Sequence, residues 1–492
     1  MRYKNWIGGK WVEAKSGKYF SSTNPADPAD VLGEFPRSDR HDVETAVKAA
    51  DRAFAEWSRV PAPKRGELLF EVAKLLKERK EELSQLMTRE MGKVLKEARG
   101  DVQEGVDMTY YIAAEGRRLH GYVTPSELPH KTCYAVRRPI GRIAVITPWN
   151  FPLAIPTWKI MPALVAGNTV VWKPASDTPR LAYELAKIFD EVGLPDGVLN
   201  LVIGDGNSVG IPLAQHPKIN MINFTGSTDI GREIYKYGAG KLNKVHLEMG
   251  GKNPIIVMDD ADLELALDGI LWSAFGTSGQ RCTACSRLII HRPVYKPLLN
   301  LLAERTKKLK LGNGLDPKTD VGPVVNPIQL KRIHEYVELG MKEGADLLIG
   351  GKVAKKGELA KGSFYEPTIF ADVSPDMRIF QEEIFGPVLA ATPAKDYDEA
   401  IRLANDTTYG LSSSIFTRDI YQAQRAIEDL ETGITYVNAG TIGAEVHLPF
   451  GGIKDTGNGG REAGQTALDE CCEWKTVYID YSGRLQKAQG ID

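Results

Sequence analysis

Three residues able to do covalent chemistry on a carbonyl group stand in three distinctive runs. Cys282 closes Phe275-Gly276-Thr277-Ser278-Gly279-Gln280-Arg281-Cys282 and offers a thiol. Glu248, in Leu247-Glu248-Met249-Gly250-Gly251-Lys252-Asn253-Pro254, offers a carboxylate, and Asn150, in Thr147-Pro148-Trp149-Asn150-Phe151-Pro152, offers a side-chain amide. A thiolate attacks an electrophilic carbon, a neutral amide donates to the oxyanion that forms, and a carboxylate takes a proton from water. Nucleophile, base and oxyanion donor are therefore all available.

Such groups need a frame. From Gly141 onward, short β-branched strands alternate with helices: 143–146, 169–172, 199–203 and 219–224, with a helix over 179–192. This pattern predicts a doubly wound parallel sheet. A second α/β unit starts with a strand over 253–258 and includes a strand over 288–291 and an amphipathic helix over 329–344. Upstream, Val43, Ala46, Val47, Ala50, Phe54 and Trp57 recur at helical spacing, and a charged helical stretch runs from Pro63 to about Gly100. Residues 120–138 read as a polar hairpin. Near the end, Trp474-Lys475-Thr476-Val477-Tyr478-Ile479-Asp480 alternates like a strand able to join a neighbouring subunit's sheet.

Gly226-Ser227-Thr228-Asp229-Ile230-Gly231 follows a strand and opens a helix through Tyr237, which places backbone amides where a pyrophosphate docks. In a chain with 48 glycines it also reads as a plain turn. Lys173 lies at the carboxyl end of a strand, the edge where doubly wound sheets receive ligands, and it also reads as a solvated lysine. Cys285 completes Cys282-Thr283-Ala284-Cys285, but no second pair with metal spacing exists, so no metal site is expected and Cys285 reads as a small pocket residue. The pair Cys471-Cys472 reads as structural.

With 492 residues, 42% hydrophobic and 26% charged, the chain exceeds what one core usually holds. A formal charge of -2 gives no electrostatic reason for a nucleic-acid or membrane partner. Five cysteines do not make a secreted disulfide framework, and neither a signal-like start nor a membrane-spanning stretch is read, so a cytoplasmic location is expected. A thiol hydrolase would need a histidine partner for Cys282, and none of the eight histidines lies in a recognisable motif for it.

Taken with Glu382-Glu383-Ile384-Phe385-Gly386-Pro387-Val388, Pro449-Phe450-Gly451-Gly452 and the amino-terminal Asn5-Trp6-Ile7-Gly8-Gly9-Lys10-Trp11, these runs make the chain resemble the NAD(P)-dependent aldehyde dehydrogenase superfamily over essentially its whole length. The resemblance implies that the Cys282 thiolate adds to an aldehyde while the Asn150 amide and the Cys282 backbone N–H hold the oxyanion. Hydride then leaves for the nicotinamide, and Glu248 activates the water that hydrolyses the thioester. It further implies Lys173 and Glu383 on the two cofactor riboses and Gly226 with Ser227 at the pyrophosphate. Ile146, Thr147, Trp149, Ser176, Gly206, Phe224, Ile230 and Phe385 complete the implied cofactor site, although Trp149, Phe224 and Phe385 equally read as core aromatics.

Glu248 as a hydrolytic base disfavours coenzyme A as acyl acceptor. Ser176 stands where many NAD-preferring relatives have a glutamate, which admits NADP as well as NAD. Asn24-Pro25-Ala26-Asp27, Thr88-Arg89-Glu90-Met91-Gly92-Lys93, Gly279-Gln280-Arg281-Cys282-Thr283-Ala284 and the longer loop between Gly452 and Arg461 are similar to the 2,5-dioxopentanoate (α-ketoglutarate semialdehyde) dehydrogenases. Gly443-Ala444-Glu445 and Ala488-Gln489-Gly490 are similar to the aminoadipate semialdehyde branch, so both point to an ω-semialdehyde acid. Arg281 is a candidate for the distal carboxylate and equally for a structural salt bridge. The alternatives are non-phosphorylating oxidation of glyceraldehyde or glyceraldehyde 3-phosphate, and a catalytically silent binding or structural member of the family.

The expected architecture is a Rossmann-type cofactor domain (1–119 and 139–248), an α/β catalytic domain (249–454) and a bridging β element (120–138 and 455–492), assembled as a homodimer or homotetramer.

Overall fold

Two seven-stranded sheets carry the molecule, and each mostly parallel core is edged by an antiparallel strand or hairpin. The computed structural model describes residues 1–489; Gly490, the last residue of the run compared with the aminoadipate branch, lies outside them.

The first sheet runs Lys244–Glu248, Met221–Thr225, Arg142–Ile146, Thr169–Lys173, Leu199–Leu201, Asn5–Ile7, Lys10–Val12. The first five strands pair in parallel. The expectation of a purely parallel sheet is corrected at its edge, where Trp6 pairs antiparallel with Leu201 and the hairpin returns through Lys10–Val12. A two-residue turn at Gly8 and Gly9, with φ of 60° and 74°, makes this reversal possible. Arg142–Ile146 comes first among the parallel strands, and its successors lie on opposite sides of it. The sheet therefore has its switch point between Arg142–Ile146 and Met221–Thr225, where open α/β sheets leave a ligand crevice at the carboxyl ends.

The sequence pattern reproduces the helices Arg40–Trp57, Pro179–Glu191 and Thr228–Ala239 closely. The single charged stretch expected from Pro63 to about Gly100 is instead three segments, Ala62–Glu78, Lys80–Met91 and the start of Leu95–Glu115. Gly92 ends the second with a left-handed φ of 98°, and a Cβ there would meet Pro323 at 2.8 Å and Pro25 at 3.0 Å, so only glycine fits this helix stop.

The second sheet runs Asp346–Ile349, Thr368–Ala371, Val388–Ala394, Cys285–His291, Asn253–Val257, Ser412–Phe416, Ile434–Val437, with only the first strand antiparallel to its neighbour. The chain passes from the last strand of the first sheet to the first strand of the second between Glu248 and Asn253. A third sheet joins Tyr122–Pro125, Lys131–Pro139 and Cys472–Asp480, and exposes Tyr122, Val123, Tyr478 and Ile479. No helix among the described residues is long and apolar enough to cross a membrane.

Candidate active site

The candidate nucleophile Cys282 follows an unusual turn. Thr277, Ser278 and Gly279 have φ of 53°, 56° and 68°, three successive left-handed residues of which only one is glycine. Such backbone costs energy and persists only when its surroundings hold it. A Cβ at Gly279 would lie 2.2 Å from the Gly386 carbonyl oxygen. Glu97, buried in the first turn of Leu95–Glu115, accepts the Thr277 N–H at 2.9 and 3.0 Å. The fully buried Gln280 donates to the Thr277 carbonyl and accepts the Val325 N–H at 3.0 Å. Asn253 then fixes the next residues, its Nδ2 donating to the Cys282 carbonyl at 2.7 Å and to the Ala284 carbonyl at 2.9 Å.

Cys282 and Asn150 line one cavity of about 150 Å³, together with Trp149, Thr225, Glu383 and Phe385. Burial pushes the Cys282 thiol well above the usual range, and the nearby carboxyl groups of Glu383, Glu248 and Glu462 add to this. Cys285 is fully buried, its Sγ lies against the Arg287 carbonyl at 3.3 Å, and burial pushes its pKa up to about 12. Of the five free cysteines, Cys282 is the one that lines this cavity.

Glu248 does not line that cavity. It ends its strand beneath the 451–461 loop, where a Cβ on Gly451 would meet its Oε1 at 2.5 Å and where its backbone bridges Gly457. Burial raises its pKa to about 7, with His246 opposing the shift and Glu462 adding to it. A carboxylate with that pKa is suited to act as a base at neutral pH.

A longer cleft of about 420 Å³ opens from the same place along the switch point. Ile146, Thr147 and Trp149 come from the end of one strand, Lys173 and Ser176 from the next, and Phe224, Gly226 and Ser227 from a third. Gly206 and Ile230 complete the set, so ten of the twelve expected cofactor residues meet here. The other two, Glu383 and Phe385, stand in the adjoining cavity that holds Cys282.

The cleft's walls fit a dinucleotide. Ser227 precedes helix Thr228–Ala239 and makes no side-chain cap, which leaves the first-turn amides free to face an anion. Lys173 is buried, donates to the Pro174 carbonyl at 2.6 Å, and has its pKa lowered to about 8 by burial, against Asp177 and Asp205. Glu383 accepts the Gly251 N–H at 3.0 Å, and burial lifts its pKa to about 7. A Cβ on Gly250 would fall 2.3 Å from that carboxylate. Phe385, with φ of 58°, stands edge-on to Trp149 at 5.4 Å, and Gln329 donates to its carbonyl at 2.8 Å.

Of the two candidate roles of Arg281, its contacts are those of a structural ion pair. Its Nε donates to Thr277 Oγ1 at 2.9 Å, its Nη2 lies 3.7 Å from Glu97, and its guanidinium stacks on Phe151 and Trp272. It does not line the cavity of Cys282 and braces the turn that presents the nucleophile.

Several site residues carried no readable signal. Glu97 is 180 positions from its partner Thr277. Asp177 and Glu233 bring two carboxyl groups to the cofactor cleft. Asn253 and Gln280 lie in the runs around Glu248 and Cys282, yet their roles depend on backbone atoms that only folding brings to them. Among the described residues no group of three or more His, Cys, Asp or Glu could hold a metal ion.

A thiol, an amide and a buried carboxylate thus gather beside a doubly wound sheet, and residues 11–477 match the model of the aldehyde dehydrogenase family. The chain belongs to that family. It is 43% identical over 479 residues to the alpha-ketoglutarate semialdehyde dehydrogenase of Haloferax volcanii, covering 97% of this chain and 99% of that one. It is also 43% identical over 478 residues to the 1-pyrroline-5-carboxylate dehydrogenase of Geobacillus sp. (strain WCH70), covering 96% and 92%. A betaine aldehyde dehydrogenase from Staphylococcus aureus, solved in complex with NAD+, superposes with a TM-score of 0.96 at 36% identity, covering 98% of this chain and 95% of that one.

Proposed function

We propose that the chain oxidises an ω-semialdehyde acid, with 2,5-dioxopentanoate as the representative substrate, to the corresponding carboxylic acid using NAD(P). The observation that carries the chemistry is that Cys282 and Asn150 face one cavity continuous with the cleft of Lys173, Ser176, Gly226 and Ser227. The substrate class is supported by the runs shared with the α-ketoglutarate semialdehyde dehydrogenases and by the identity to the Haloferax volcanii relative.

In this reading the Cys282 thiolate bonds to the aldehyde carbon, and the Asn150 amide with the Cys282 backbone N–H donates to the oxyanion. The nicotinamide, when bound, accepts the hydride that leaves this carbon. Glu248 then swings from beneath the 451–461 loop and takes a proton from water, whose oxygen bonds to the thioester carbon as Cys282 departs as thiolate. Lys173 and Glu383 hold the cofactor's riboses, the amides after Gly226 and Ser227 hold its pyrophosphate, and Trp149 and Phe385 wall the nicotinamide end. Arg281 orders the nucleophile's turn through Thr277 and Glu97.

The same reading divides the chain into a cofactor unit (1–119 and 139–248), a catalytic unit (249–454) and a bridging β element. The exposed apolar side chains of the third sheet support assembly into a homodimer or homotetramer, and the reading places the enzyme in the cytoplasm. Steady-state rates for a panel of aldehydes with both nicotinamide cofactors test the substrate class. The expected result is the highest kcat/KM for a short semialdehyde carrying a distal carboxylate. A preference for an uncharged or cationic aldehyde overturns it.

A further inference from the structure

Behind Glu248 lies a buried charged cluster that the reaction as described does not use. His246 and Glu248 are two residues apart on one strand, so their side chains share a face. His246 Nε2 is 3.6 Å from Glu248 Oε1 and 3.7 Å from Glu462 Oε1, while Nδ1 is 3.4 Å from Glu470 Oε2. Both ring nitrogens and both Glu248 oxygens lack hydrogen-bond partners in this arrangement. Buried polar groups left this way are costly, which favours a closer approach of Nε2–H to one of its two carboxyl neighbours. The space is made for the ring: a Cβ on Gly460 would lie 2.3 Å from His246 Nδ1.

The charged and titratable groups facing His246 come from three directions. Its own strand supplies Glu248 and Lys244, the C-terminal segment supplies Glu462 and Glu470, and helix Ala154–Ala166 supplies Lys159, which is paired with Glu462 and donates to Asn223. Lys244 and Glu470 pair with each other at the partly exposed rim, and within the buried remainder Glu248 and Glu462 face Lys159, so a protonated imidazole brings these four groups to neutrality. Burial by itself would lower the imidazole's pKa, but Glu248, Glu470 and Glu462 together push it up to about 9.

We propose that His246 is a positioning residue that docks Glu248, in its withdrawn position, as a carboxylate against an imidazolium, and so sets the charge with which Glu248 goes to the thioester. The proposal rests on Glu248 being the hydrolytic base. Without the imidazolium, burial and the adjacent Glu462 favour the protonated acid, which cannot accept a proton from water. Docking therefore keeps the base ready while it is hidden from solvent.

The test is the pH dependence of acyl-enzyme hydrolysis, followed by single-turnover decay, in wild type, His246→Gln, His246→Lys and Glu248→Gln. A normal burst of reduced cofactor in each variant shows that it is folded and acylates. Removing the positive neighbour raises the pKa of Glu248, so in His246→Gln the acid limb moves to higher pH by about one unit and hydrolysis on that limb falls on the order of tenfold. His246→Lys restores the limb toward wild type because it restores the charge, an outcome that a purely packing role for the ring does not give. An unmoved limb in His246→Gln, or identical profiles for the Gln and Lys variants, overturns the proposal. If Glu248→Gln keeps wild-type hydrolysis, the reading of Glu248 as base fails instead, which separates the two outcomes.

Discussion

The side-chain amide of Asn253 donates to the carbonyl oxygens of both Cys282 and Ala284, at 2.7 and 2.9 Å, and its own oxygen accepts the Ser412 N–H at 3.0 Å. The first residue of the second sheet therefore ties the nucleophile's backbone to two strands of that sheet. Replacing Asn253 with Ala removes the side-chain partner of three backbone groups, two of them in buried bonds, and a buried group left unpaired costs about 1–3 kcal/mol before relaxation. Urea unfolding is expected to show a loss of about 2–4 kcal/mol, with kcat falling while cofactor affinity is kept. Wild-type stability in this variant contradicts the role given to the clamp.

The pKa of Glu248, raised to about 7, gives the hydrolytic step a pH dependence. A base works only when deprotonated, so the hydrolysis rate is expected to fall as the pH drops below about 7 and to level off above it. Stopped-flow decay of the acyl-enzyme across this range is the check. A rate that rises toward acid pH rules out Glu248 as the base.

Asn150 faces the cavity of Cys282, where the proposed reaction makes it the oxyanion's side-chain donor. Asn150→Ala is expected to lower kcat/KM by about a hundredfold, on the order of 3 kcal/mol, if its donor resembles other oxyanion-hole amides. A variant that loses only aldehyde affinity and keeps its maximal rate makes Asn150 a residue that merely orients the substrate.

Ser176 lies in the cofactor cleft with Lys173 beside it, and its hydroxyl donates to the Gly204 carbonyl at 3.2 Å. Ser176→Glu brings a carboxylate to the place proposed for the adenosine ribose, where it accepts from the hydroxyls of NAD and repels the phosphate of NADP. The ratio of kcat/KM for NADP over NAD is expected to fall by about tenfold or more, since like charges in a partly desolvated pocket cost a few kcal/mol. An unchanged ratio shows that Ser176 does not face that ribose.

The parts of the site that were legible in the sequence are those whose chemistry lies in the residue itself. Cys282 and Asn150 meet in one cavity, and the glycine turn at Gly226 opens the helix expected of it, because strand, turn and helix are adjacent in the chain. The partners supplied from far away were not legible. Glu97 holds Thr277 across 180 residues, and His246 acquires its meaning from Glu462 and Glu470, more than 200 positions on. The strand Lys244–Glu248 escaped notice for a related reason: five residues alternating charged and apolar give too short a pattern to stand out until its parallel pairing with Met221–Thr225 is seen. The break at Gly92 is likewise set by Pro25 and Pro323, distant in sequence and touching in space.

The central claim is that the reaction runs through a thioester on Cys282 that Glu248 hydrolyses, and it is tested most directly by trapping that thioester. Glu248→Gln keeps the shape of the side chain but cannot take the proton, so one burst of reduced cofactor is expected, followed by steady turnover lowered by roughly a hundredfold or more. Acid quench within the burst and mass spectrometry of the digested protein then locate the acyl group. The account predicts an adduct on the peptide at Cys282, absent in a Cys282→Ala variant and unchanged by Cys285→Ala. An adduct on Cys285, or a burst of reduced cofactor with no acylated cysteine, contradicts it.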